Sequence, residues 1–96
     1  MNKRGMKPQQ AAKIRAKKGL KATKLQRLRV ARGLSQNDLA AMTGISAGRI
    51  SHYEQEIRRI DGARLDTLLA FCLALDCKLE DLVESKELIA KLRMTK

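Results

Sequence analysis

The sequence predicts an all-α fold: five helices preceded by a basic arm. Three observations predict it. Among 96 residues only Tyr53 and Phe71 are aromatic, so the core has to come from Leu, Ile, Val, Ala, Met and Cys, which suits packed helices better than a sandwich or barrel. Beyond about residue 23, apolar side chains recur at helical spacing, and serines and glycines punctuate the runs. The charge is also divided along the chain. Residues 1–32 carry twelve Lys or Arg and no acid, whereas residues 33–96 carry nine basic and ten acidic side chains, so the net charge of +11 arises in the first third. This length supports one domain.

Residues 1–22 (MNKRGMKPQQAAKIRAKKGLKA) contain a proline, two glycines and no apolar stripe wide enough to bury. They are expected to form a disordered basic arm, with transient helix at most over Gln9 to Lys18. Such an arm either solubilises the chain or contacts DNA phosphates and the minor groove; composition leaves both readings open.

Residues 23–84 are expected to form the folded domain. Its first helix runs from Thr23, a candidate N-cap, to Arg32. Leu25, Leu28 and Ala31 lie on one face with Val30 beside them; Gln26, Arg27, Arg29 and Arg32 lie elsewhere. Gly33 suits the left-handed position after the last turn. Ser35 with Asp38 three residues on is a shortened capping box for the second helix, whose apolar face is Leu39, Ala40 and Met42 and whose stop is Gly44. Ile45 anchors the turn. Ser46 caps a third helix to about Glu54, with Ile50 and Tyr53 on the core side. Gly62 to Leu75 reads as a fourth helix capped by Asp61, with a core stripe of Leu65, Leu68, Leu69, Cys72 and Leu73. A fifth helix starts near Leu79. Residues 85–96, with Leu88, Ile89 and Leu92 at helical spacing, either extend it, pack on a second subunit or fray.

The stretch from Leu34 to Glu54 carries the functional signal. The outward face of the third helix, Ala47, Gly48, Arg49, Ser51 and His52, has no acid and no large apolar residue. A capped helix, a glycine turn and a second capped helix with such a face read as a helix-turn-helix presenting its second helix to DNA. The bland alternative for that face is a solvated surface.

Leu25 to about Val83 resembles the Cro/CI-type (XRE) phage-repressor family. The resemblance is carried by LRVARGLSQNDLAAMTGISAGRISHYE, by LDTLLAFCLALDC and by KLEDLV. It implies a repressor-like five-helix bundle with the third helix in the major groove of double-stranded DNA. It further implies base-facing positions at Ala47, Gly48 and His52, flanked by Arg49 and Ser51, and backbone-facing positions at Gln36, Ser46, Arg58 and Arg59. Ala47 and Gly48 lack the long polar groups that make bidentate bonds to bases, so direct readout would lean on Arg49 and His52. A glycine usual in the family two residues after the glutamate is replaced by Glu56, which puts the shape of that turn in question. The family's usual serine cap on the last helix is replaced by Lys78.

The expected function is sequence-specific transcriptional regulation, as a repressor or autoregulator that binds a palindromic operator as a homodimer, with the fifth helix and the tail as candidate dimer contacts. The alternative is an antitoxin or adaptor that uses the same fold to bind a protein partner as well as DNA. An RNA-binding role is disfavoured by the scarcity of aromatics for stacking. An enzyme is disfavoured because one histidine without an evident partner makes no catalytic constellation. Cys72 and Cys77, spaced C-x4-C, fit neither a zinc nor a redox motif and are expected to be reduced and structural in a cytoplasmic, nucleoid-associated protein. No metal, cofactor, small-molecule ligand or membrane span is expected, since no apolar run reaches about 18 residues.

Overall fold

The computed structural model describes residues 22–95, and the predicted arm lies almost wholly outside them. The described residues form six helices joined by short turns: α1 (Lys24–Ala31), α2 (Gln36–Thr43), α3 (Ala47–Glu54), α4 (Leu65–Leu75), α5 (Leu79–Leu82) and α6 (Lys86–Met94), with a 3-10 turn at Ile60–Gly62. None is long and apolar enough to cross a membrane.

Local chemistry sets most boundaries. Thr23 Oγ1 accepts the Gln26 N–H at 3.2 Å and starts α1. Ser35 and Asp38 complete the capping box in both directions at 2.9 Å and start α2. Ser46 Oγ accepts the Arg49 N–H at 3.2 Å and starts α3. Each such cap contributes about 1 kcal/mol. At Gly44 (φ 77°) the backbone turns left-handed, a conformation that costs a side-chain-bearing residue about 1–2 kcal/mol. Ile45 then drops into the core.

α1 and α3 both end in a Schellman motif. In α1 the Gly33 N–H donates to Val30 O and the Leu34 N–H to Arg29 O, with Gly33 at φ 71°. In α3 the Glu56 N–H donates to Tyr53 O and the Ile57 N–H to His52 O, with Glu56 at φ 61°. At this position, where the family usually has glycine, Glu56 takes the left-handed conformation and carries its strain.

The core gathers Leu25, Leu39, Ile45, Ile50, Tyr53, Ile60, Leu68, Phe71, Leu75 and Leu82 from every helix but α6 and from the two connecting turns. Tyr53 and Phe71 meet edge to face, ring centres 6.1 Å apart. α4 lies against α2 and α5, and α1 against α3 and α5. Both cysteines are free thiols. Burial raises the Cys72 thiol pKa above its ordinary value, and burial with Cys72 as neighbour pushes Cys77 up to about 12. Both stay protonated at neutral pH and behave as small hydrophobes.

Several expectations are corrected. Gln26 and Arg29, placed off the buried face of α1, are buried, whereas Ala31 is exposed. Met42 is exposed. Helix α4 begins at Leu65 after Arg64, not at Gly62. Asp61 does not cap it; its carboxylate instead accepts the Glu84 N–H at 2.7 Å and the Ser85 N–H at 3.1 Å, which ties the 3-10 turn to the α5–α6 junction. That junction closes the fifth expected helix after Leu82, and residues 85–96 do not extend it. Val83 is extended there, and Ser85 Oγ accepts the Leu88 N–H at 3.2 Å to start α6 as a separate helix. Lys78 has no acceptor with which to cap α5, and Asp81 Oδ2 accepts its N–H at 3.0 Å instead. The α4 stripe is only half right. Leu68 and Cys72 face inward with Phe71 and Leu75, but Leu65, Leu69 and Leu73 are exposed.

Candidate nucleic-acid interface

The third helix has two faces with different duties. Inward, Ile50, Tyr53 and Glu54 are all buried. Glu54 is a charge at a core position, and Arg29 of α1 neutralises it. Arg29 Nε donates to Glu54 Oε2 at 2.6 Å and Nη2 to Oε1 at 2.9 Å, with both side chains almost fully removed from solvent. Arg29 Nη1 also donates to Leu34 O at 2.7 Å, and Gln36 Nε2 donates to Glu54 Oε1 at 3.1 Å. One carboxylate therefore ties the end of α3 to α1, to the α1–α2 loop through Arg29, and to the first residue of α2. Bidentate, hydrogen-bonded pairing of this kind is what makes a buried charge tolerable.

Outward, the side chains do little for the fold. Gly48 is exposed, and a Cβ added there would meet nothing within 4 Å. Arg49 and His52 are exposed, and Ala47 and Ser51 are half-buried. Ser51 Oγ accepts from Gln55 Nε2 at 2.5 Å. Arg49 Nη2 makes one long contact, 3.5 Å, to Thr67 Oγ1 in the first turn of α4. The strip thus offers a guanidinium, an imidazole and an open glycine position, with no carboxylate on it. An arginine so exposed can give two parallel N–H bonds to a guanine edge or to a phosphate.

The residues assigned to the DNA backbone are distributed unevenly. Ser46 is exposed at the N-terminus of α3 and already caps it. Gln36 is half-buried and turned toward Glu54. Arg58 and Arg59 are exposed on the loop after α3, and Arg59 has only a distant 3.9 Å pairing with Asp61. The Arg58 N–H donates to His52 O at 3.1 Å, so this loop folds back on the end of α3 and holds its arginines beside that helix.

Sequence reasoning missed two features. The Arg29–Glu54 pair had a signal: each residue sits four positions from a core apolar residue, Leu25 and Ile50, and the two charges are opposite. The Thr67 contact had none, because it depends on how α4 crosses α3. Among the described residues no group of three His, Cys, Asp or Glu could hold a metal ion.

Two short capped helices, a three-residue turn between them and a second helix pinned from behind define a helix-turn-helix protein. The chain belongs to the Cro/C1-type helix-turn-helix DNA-binding domain family, whose model matches residues 24–87. No curated protein and no solved structure matches it. Family and fold together support a DNA-binding regulator.

Proposed function

We propose that this protein is a sequence-specific transcriptional regulator, a repressor or autoregulator that binds a palindromic operator as a homodimer, with α3 in the major groove of each half-site. One observation carries the reading. The outer face of α3 is a polar, acid-free strip excused from folding, on a helix whose inner face is locked by a buried ion pair. Arg49 and His52 supply direct readout, and Ala47 contacts a thymine methyl. Gly48 lets the backbone approach the DNA closely. Ser46 positions the motif on phosphates, Gln36 adds only the amide hydrogen that its bond to Glu54 leaves over, and Arg58 and Arg59 add backbone charge. The basic arm extends this footprint.

The test is selection of bound duplexes from a randomised pool, followed by titration of the selected site against random DNA. An inverted repeat with half-site centres about 10 bp apart is the expected product. Enrichment of no sequence would overturn the reading. Deleting residues 1–22 is expected to weaken binding to all duplexes and to flatten its dependence on salt, because fewer counterions are released. An unchanged salt slope would show the arm to be only a tail.

A further inference from the structure

Thr67 is a buried polar side chain in the first turn of α4, only 7% exposed. Among the described residues its hydroxyl makes one hydrogen bond, and the donor is Arg49 Nη2 at 3.5 Å. The dependence is mutual. Thr67 Oγ1 is the one acceptor that the Arg49 side chain meets, and Arg49 makes no ion pair among the described residues. A buried hydroxyl without a partner is unfavourable, so the contact is favoured from the Thr67 side as well as from the arginine's. The type of acceptor also matters. The neighbouring carboxylate is engaged elsewhere, since Arg64 Nε and Nη2 donate to Asp66 Oδ1 and Oδ2, each at 3.2 Å. Arg49 therefore rests on a neutral oxygen and keeps its full charge for a nucleic acid. A neutral acceptor holds a guanidinium less tightly than a carboxylate does, so it directs the side chain without competing for it. Only one Nη2 hydrogen is used. A guanidinium has two hydrogen-bonding forks, Nε with Nη2 and Nη1 with Nη2, and a single Nη2 hydrogen belongs to one of them. The other fork is left whole for the edge of a guanine.

We propose that Thr67 is a positioning residue for recognition: its hydroxyl tethers the Arg49 side chain, so that the first turn of α4 tunes what α3 reads. The proposal rests on the DNA-binding reading. An arginine side chain has many rotamers, and ordering one at an interface opposes binding. A tether already present in the free protein removes part of that opposition before DNA arrives. The benefit falls on the operator more than on random DNA. A guanine edge has to be met in one orientation, whereas a phosphate carries no sequence and is met equally on every duplex.

Two measurements on the full chain test this, with T67V removing the acceptor at nearly constant shape and T67S retaining it. The first is ¹⁵N relaxation of the arginine Nε–H groups in the DNA-free protein. Arg49 is expected to be more ordered than Arg58 and Arg59 in wild type and in T67S, and to fall to their level in T67V. An Arg49 as mobile as those two in wild type, or one that T67V leaves unchanged, would overturn the proposal. The second is titration of the selected duplex and of a random duplex. T67V is expected to lose about threefold of the preference between them, the low end of what a neutral hydrogen bond contributes. T67S is expected to keep that preference, and T67V added to R49A is expected to change it no further. Equal losses on both duplexes, no rescue by serine, or a further loss in the R49A background would each count against the tether. Circular dichroism follows the fold of each variant, and T67A replaces T67V in both measurements if the latter does not fold. A preference lost in R49A but kept in T67V would sink the role of Thr67 and leave the DNA reading standing. A wild type that prefers no duplex would sink the DNA reading, and the role of Thr67 with it.

Discussion

The inner and outer faces of α3 share eight residues and one backbone, yet they answer to different constraints. The inner face consists of Ile50, Tyr53 and Glu54, each locked into neighbours, and one of them a buried charge with three hydrogen bonds. The outer face consists of side chains that the fold would scarcely miss. A helix built this way can change what it reads without changing how it is held. Stability and recognition thus fall on different residues of one helix.

The largest effect is expected on the inner face. Glu54→Ala strands the Arg29 guanidinium in the core and removes the acceptor of Gln36, and should cost about 3–5 kcal/mol in chemical denaturation. Replacing both partners, Arg29→Met with Glu54→Leu, should recover much of that loss. If Glu54→Ala proves nearly neutral, the pair does not anchor α3. On the outer face, Arg49→Ala and His52→Ala should leave the denaturation midpoint unchanged within error. Each should cost about 1–3 kcal/mol of preference for the selected operator over random DNA. Equal losses on both DNAs would place these side chains on phosphates rather than bases. Arg58→Ala with Arg59→Ala should weaken binding on all sequences alike and reduce the slope of log K against log salt by roughly 2, about 0.9 per lost phosphate contact. The smallest effect sits where the two faces end. Glu56→Gly relieves left-handed strain in the Schellman motif and should stabilise by about 1 kcal/mol, less the extra freedom it gives the unfolded chain. Its DNA affinity should not change. Destabilisation would mean that the Glu56 side chain makes a compensating contact.

The boundaries of the helix-turn-helix were legible because they are local. Thr23, Ser35 and Ser46 cap through hydrogen bonds no more than three residues away, and Gly33 and Gly44 turn where only glycine turns cheaply. Ile50 and Tyr53, the apolar core positions of α3, were legible from spacing alone, but buried Glu54 was not. α4 was not, for a definite reason. Its sequence, LDTLLAFCLAL, is apolar nearly all the way round, so periodicity offers two competing stripes. Packing of α2 and α5 selected Leu68, Phe71, Cys72 and Leu75 and left Leu65, Leu69 and Leu73 outside. Asp61 misled in a similar way. Its type fits a cap, but its carboxylate is taken by backbone groups 23 and 24 residues away.

By itself, then, the sequence determined the helical class, the two capped helices and the turn between them, and the acid-free strip on the second, because these follow from interactions within a few residues. Tertiary structure alone decided that Arg29 meets Glu54, that Gln36 turns inward, that Glu56 adopts a glycine's conformation and that three leucines of α4 remain exposed. Each of these depends on which helices meet and at what angle, and that is settled only when the whole chain packs.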